Sequence, residues 1–234
     1  MKLQDSTVFI TGANRGLGLE FARQALAHGA RKVYAGARDP STVTLPGVIP
    51  IALDVNNASQ VAAAVADCGD VTLVINNAGI ASLKGLLEED SIEVTQRMLE
   101  TNLFGIMRVS QGFAPVLAKN GGGALLNVLS VASWLNAPVL AAYSISKAAA
   151  WSLTNGLRNE LREQNTQVLG LHAGFIDTDM THGFDAPKQT PEFVVRRAFE
   201  ALEAGDSEVA IDELTQQIKR GLSAEPGIYI DYAS

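Results

Sequence analysis

The sequence predicts an α/β fold: a doubly wound parallel sheet of six to seven strands flanked by helices, in a single domain over residues 1–234. Three observations predict it. Short apolar runs bounded by turn formers alternate with helix-length stretches along the whole chain, which is the pattern of repeated βαβ units. Hydrophobic residues make up 47% of the chain and aromatic residues only 6%, an aliphatic stock suited to strands buried on both faces. A glycine-rich turn, Thr11-Gly12-Ala13-Asn14-Arg15-Gly16-Leu17-Gly18, joins the first apolar run to the first helix.

The elements follow in order. Thr7–Thr11 reads as the first strand, Leu17–His28 as the helix after the turn and Lys32–Gly36 as the second strand. The stretch Pro40–Pro50, rich in proline and threonine, is a poor helix and reads as a loop into a strand over Val48–Leu53. Asn57–Ala66 is a short helix and Val71–Ile75 the fourth strand. Ser91–Leu117 reads as two helices broken near Gly105, and Gly121 to Gly123 then turn the chain into a strand at Ala124–Leu129. Ala141–Arg162 is the longest helix, Gln167–His172 the sixth strand and Pro191–Ala204 another helix. Glu208–Ile211 reads as a short seventh strand and Asp212–Leu222 as a helix, while the tail beyond Pro226 carries no clear signal. No repeat, low-complexity segment or linker marks a domain boundary.

Composition narrows the function. A net charge of −7 with no basic run argues against a nucleic-acid partner. Cys68 is the single cysteine, which excludes an internal disulfide and a cysteine-rich zinc site, and His28, His172 and His182 show no metal-ligand spacing, so no metal is expected. Residues 1–6 lack an apolar signal core and Val8-Phe9-Ile10 is too short to cross a membrane, so a cytoplasmic protein with no membrane partner is expected.

The chemistry is carried by Ser130, Tyr143 and Lys147. On a helix over 141–161, residues four apart share a face, so the Tyr143 phenol and the Lys147 ammonium project into the same space. The cation is expected to lower the phenol pKa from its reference of about 10, as a general acid or base requires. Ser130, at a strand end, is suited to donate a hydrogen bond to a carbonyl oxygen as charge develops there. Alone, the Tyr-x-x-x-Lys pair also fits a partly buried tyrosine beside a surface lysine. Gly12, Gly16 and Gly18 let backbone approach a pyrophosphate at a helix N-terminus, although their spacing equally fits a structural turn.

Thr11–Gly18, Asn76-Asn77-Ala78-Gly79 and Tyr143/Lys147 occur in this order, and on these motifs the chain resembles the short-chain dehydrogenase/reductase family over roughly residues 5 to 185. It looks closest to NADP-preferring, carbonyl-reducing members. The resemblance implies a Rossmann-type sheet and an NADP(H)-dependent oxidoreductase of ketones or aldehydes and the matching alcohols; uncharged, largely apolar substrates are expected from the pocket residues below. It implies that Tyr143 exchanges the proton, that Ser130 polarises the oxygen, and that Lys147 holds the nicotinamide ribose. Asn102, in Thr101-Asn102-Leu103-Phe104-Gly105, would hold a water that links the lysine to solvent.

The same resemblance implies cofactor contacts at Gly12, Asn14, Arg15, Gly16, Leu17 and Gly18 in the turn. It adds Asp54 and Val55 at the adenine, Asn76 at the ribose, Ala78 and Gly79 beside it, and Gly174, Ile176 and Thr178 after the sixth strand. Asp54 also fits a helix cap near Asn57. Arg15 and Arg38 would clamp a ribose 2′-phosphate with charge-assisted bonds, unless the second strand runs further and brings Asp39 to the ribose instead.

Three departures stand out: Ala173 where the family has proline, which removes a fixed φ and should loosen the loop; Leu129 where a serine is frequent; and a shortened C-terminal segment. The substrate pocket is expected from Ser130, Trp134, Leu135, Tyr143, Phe175 and Phe184, with no arginine or lysine between Val131 and Ile145 to bind an anion. Helices near 105–118 and 141–162, the second carrying Trp151, are expected to join copies into a homodimer or homotetramer. A dinucleotide-binding regulatory or signalling protein with incidental turnover is the alternative, against which the Ser130/Tyr143 pair speaks.

Overall fold

The first strand explains why the sheet is buried on both sides. Successive side chains of a strand point to opposite faces. In β1 (Thr7–Thr11), Val8 and Ile10 accordingly enter one apolar cluster and Phe9 the other, all three fully buried. The structure, a computed structural model, describes residues 1–230. Its elements continue as α1 (Gly16–Ala27), β2 (Lys32–Ala37), β3 (Ile49–Ala52), α2 (Ala58–Asp67), β4 (Leu73–Asn76), α3 (Ser91–Leu99), α4 (Gly105–Lys119), β5 (Gly123–Val128), α5 (Ala141–Glu160), β6 (Thr166–His172), α6 (Pro191–Ala204), β7 (Glu208–Ala210) and α7 (Glu213–Gly221).

The seven strands lie in the order β3-β2-β1-β4-β5-β6-β7 and pair in parallel throughout. The alternation of β1 recurs across the sheet: Val33, Ile75 and Leu126 face the side covered by α1 and α6, while Tyr34, Val74 and Leu125 face α2, α4 and α5. Aromatic rings tie the helices down, with Phe21 against Phe199 at 5.5 Å on one side and Phe9 against Phe113 at 4.6 Å on the other. β1 has β2 on one side and β4 on the other, so the connections diverge there and leave a crevice at the carboxyl ends of the strands.

Several boundaries move. β2 ends at Ala37, one residue later than expected. β4 starts at Leu73 and runs on through Asn76, because that polar side chain is buried with partners, donating to Asn127 Oδ1 at 2.8 Å and Ser110 Oγ at 3.3 Å. β3 tolerates Pro50 because it is the edge strand. The break expected near Gly105 is a π-helical turn over Glu100–Phe104, so the backbone stays helical from α3 into α4. In the tail, Ile228 packs with the cluster around Ile218, and residues 231–234 lie outside the described residues. Among the described residues no helix is long and apolar enough to cross a membrane, and no group of three or more His, Cys, Asp or Glu is placed to hold a metal ion.

Candidate active site

The turn after β1 is shaped by its glycines and held by its neighbours. Gly12 and Gly16 have φ of +67° and +53°, a region that side chains disfavour. A Cβ on Gly18 would lie 2.1 Å from the Gly12 carbonyl oxygen, so only glycine lets α1 begin this close to the strand. Thr11 Oγ1 accepts from the amides of Asn77 and Ala78 at 3.0 and 2.9 Å, and Asn77 Nδ2 donates to the carbonyls of Thr11 and Gly12 at 3.0 and 3.1 Å. No side chain caps α1 and no acidic residue sits in its first turn, which leaves its N-terminal amides and dipole to an anion. Thr178 closes over this point, since a Cβ on Gly16 would be 3.5 Å from its Cγ2.

The residues expected to react lie beside this turn. Lys147, buried on α5, donates from Nζ to the Val128 carbonyl at 2.9 Å and lies 5.6 Å from the Tyr143 ring centroid. A Cβ on Gly79 would stand 3.8 Å from Lys147 Nζ and 3.2 Å from Asn102 Oδ1, so the segment after β4 connects the turn to the lysine. Asn102 sits in the π-helical turn, fully buried, and its amide is spent on the Ile80 backbone and on Ser146 Oγ, each contact at 2.9 Å. Ser130 follows β5 in extended conformation, its hydroxyl accepting from the Ala132 amide at 3.1 Å and approaching the Ala173 carbonyl at 3.4 Å.

The electrostatics correct one expectation. Burial pushes the Tyr143 phenol up to about 12, against a hydrogen bond with Ser130 that pulls the other way. Burial also brings Lys147 down to about 8. The lysine therefore does not lower the phenol: its ammonium is turned to the Val128 carbonyl, and the loss of water outweighs its charge. At neutral pH this leaves Tyr143 protonated.

Residues 6–189 match the family model of the short chain dehydrogenases. The chain belongs to the short-chain dehydrogenase family. It is 32% identical over 203 residues to the short chain dehydrogenase tazN of Aspergillus terreus, a match that takes in 80% of this chain and 44% of that protein. It is 35% identical to oxidoreductase BOA17 of Botryotinia fuckeliana over 73% of this chain and 66% of that one. The chain thus spans about half to two thirds of the length of these two relatives. A crystal structure of a short chain dehydrogenase from Burkholderia cenocepacia in complex with NADP superposes with a TM-score of 0.93 at 38% identity, covering 97% of this chain and 96% of that one.

Other expected site residues are placed as follows. Asn14 Nδ2 reaches Thr42 Oγ1 at 3.1 Å, and Leu17 is buried beneath the turn. Asn76 is 2% exposed and its side-chain amide serves the sheet interior. Asp54 Oδ1 accepts from the Asn56 amide at 2.9 Å and Val55 is buried, while the cap of α2 is Asn57 rather than Asp54. Arg38 is exposed directly after β2. Asp39 follows it, but its carboxylate is taken by the amide and hydroxyl of Ser41 at 3.0 and 2.7 Å. Arg15 is not free either: it pairs with Asp179 at 2.7 Å.

The loop after β6 is held in spite of its missing proline. Ala173 O accepts from the Val131 amide at 2.9 Å, and the Gly174 amide donates to Asp212 Oδ2 at 2.8 Å. Ile176 O accepts the Thr181 hydroxyl, and the backbones of Phe175 and Asp177 bond that of Gln189 at 2.9 Å. The loosening expected from Ala173 is thus offset by these bonds. Phe175 and Phe184 pair across the loop with ring centroids 5.1 Å apart. Trp134 and Leu135 correct the expected pocket: both are 8% exposed and pack with Ile218 of α7. Trp151 is likewise used within the chain, its Nε1 donating to Glu208 at 2.8 Å and its ring set edgewise against Trp134.

Sequence reasoning assigned no role to Thr11, Asn77 or Asp212. The signal for the first two was present, since both lie inside the motifs that carry the resemblance. Asp212 had no such signal beyond its place at a helix start.

Proposed function

We propose that the chain is an NADP(H)-dependent carbonyl reductase, working in reverse as an alcohol dehydrogenase, on uncharged and largely apolar ketones or aldehydes. The observation that carries this reading is the run of contacts from the glycine turn through Gly79 to Lys147, Tyr143 and Ser130 at one end of the sheet. The nicotinamide, when bound, supplies or takes up the hydride. Tyr143 gives its proton to the carbonyl oxygen, and the Ser130 hydroxyl donates to that oxygen as charge builds on it. Lys147 would hold the nicotinamide ribose with an ammonium that also bonds the Val128 carbonyl. Gly12, Gly16, Leu17 and Gly18 would present backbone to a pyrophosphate, and Ile176 and Thr178 would hold the nicotinamide carboxamide.

Arg38 and Arg15 favour the 2′-phosphate, and the NADP bound by the Burkholderia cenocepacia relative supports that choice. The Arg15–Asp179 pair is 67% and 75% exposed on its two sides, so it contributes little and a phosphate displaces it cheaply. Arg38→Ala is expected to lower kcat/KM at least about fivefold with NADPH while leaving NADH unaffected. Equal losses with both cofactors would make Arg38 structural.

The test of the reading is NADPH fluorescence on binding, followed by NADPH oxidation across matched ketones and 2-keto acids. Desolvating a carboxylate without a partner costs several kcal/mol, whereas each buried methylene contributes about 0.8 kcal/mol. Phe175 and Phe184 supply apolar surface beside the site. Ketones are therefore expected to show the higher kcat/KM, and a reversal would sink the substrate class. We assign a homodimer or homotetramer through α4 and α5, where Phe104 and Met107 leave apolar surface exposed near the start of α4. A cytoplasmic setting suits the single cysteine, whose thiol burial pushes up to about 12 and so keeps unreactive.

A further inference from the structure

His172 ends β6 fully buried, in a polar setting that the mechanism above does not use. Its ring lies flat on Trp134, with centroids 3.9 Å apart and planes 14° from parallel. Its Nδ1 is 3.1 Å from the carbonyl oxygen of Ser130. A carbonyl only accepts, so Nδ1 carries the proton. The same carbonyl takes the Ser133 amide at 3.0 Å, which fills both of its lone-pair sites. The other ring nitrogen, Nε2, faces Glu208 Oε1 at 3.7 Å without a hydrogen bond among the described residues. Glu208 is already served by Trp151 Nε1 at 2.8 Å and Lys219 Nζ at 2.6 Å, so it needs no proton from the imidazole. Burial lowers the imidazole pKa against the opposing pull of Glu208, in keeping with a neutral ring protonated on Nδ1.

We propose that His172 is a positioning residue for Ser130: its Nδ1–H fixes the Ser130 peptide and so aims the hydroxyl at the substrate oxygen. This rests on the catalytic reading given above. The Leu129 amide bonds Leu171 at 2.7 Å and the Val131 amide bonds Ala173 at 2.9 Å, so the His172 Nδ1–H acts together with the Val131 amide on the one planar peptide that carries the Ser130 carbonyl. Trp134, itself packed on Ile218 of α7, holds the ring from below. The C-terminal part of the chain thereby reaches the reacting centre without touching the substrate.

Two substitutions separate the ring nitrogens. In His172→Asn the amide nitrogen falls near the place of Nδ1, whereas in His172→Gln it reaches toward that of Nε2. His172→Asn is expected to keep kcat within about threefold of the parent and His172→Gln to lose at least about tenfold, with KM for the ketone and Kd for NADPH little changed in both. A ring that merely fills space predicts the opposite order, because glutamine is the larger side chain, and that result or equal kcat values would overturn the proposal. A parent whose turnover does not depend on Tyr143 would instead refute the catalytic reading. The proposal has a second readout that needs neither a variant nor a substrate. With only three histidines in the chain, nitrogen NMR of the parent resolves the His172 ring, which is expected neutral with its proton on Nδ1. A proton on Nε2 alone would overturn the assignment at any level of activity.

Discussion

Tyr143→Phe is expected to lower kcat at least about a hundredfold, the usual scale for a lost general acid, while NADPH affinity stays nearly unchanged. The phenol is the group here that both holds a proton at neutral pH and lies beside Ser130. Lys147 is unsuited to replace it, because its ammonium is committed to the Val128 carbonyl on the strand side of the ring. The variant keeps the ring and should fold normally. Steady-state turnover with a ketone and a fluorescence titration with NADPH check the two halves of the prediction. Full turnover in the variant would remove Tyr143 from the mechanism.

Gly18→Ala is expected to be nearly as damaging by a different route. The new methyl group would fall 2.1 Å from the Gly12 oxygen and 2.5 Å from Asn77 Nδ2, and the first of these is backbone that no rotamer change relieves. Either α1 moves off the strand or the turn opens, and overpacking of this kind costs roughly 1–3 kcal/mol. Both responses spoil the bare helix end, so NADPH affinity should fall at least about tenfold along with a drop in Tm. Gly69→Ala is the control, since nothing lies within 4 Å of the Cβ it would add. Unchanged NADPH binding in Gly18→Ala would show that the turn does not hold the cofactor.

Much of this was legible in the chain because it rests on local pattern. The strands were visible as short apolar runs, and the glycine turn through its spacing. What escaped depends on partners far away in sequence. Trp134 reads as a pocket residue until Ile218 and His172, more than 30 residues off, are folded onto it. Trp151 reads as an interface residue until Glu208 is brought to its indole. The π-helical turn at Glu100–Phe104 reads as a break because it inserts one residue per turn and disrupts the helical period without ending the helix. The phenol shift reads in the opposite direction from sequence because charge is visible there and desolvation is not.

Asp212 ties together two parts of the chain that sequence treats separately. Its carboxylate accepts the Gly174 amide at 2.8 Å, the Thr215 amide at 2.9 Å and the Thr215 hydroxyl at 2.8 Å. One side chain thus starts α7 and anchors the loop that carries Ile176 and Thr178. Fraying of that last helix raises the conformational entropy of the loop, and an ordered loop in turn helps the helix to nucleate. The two are one cooperative unit, and the C-terminal helix cannot drift in sequence without the loop feeling it.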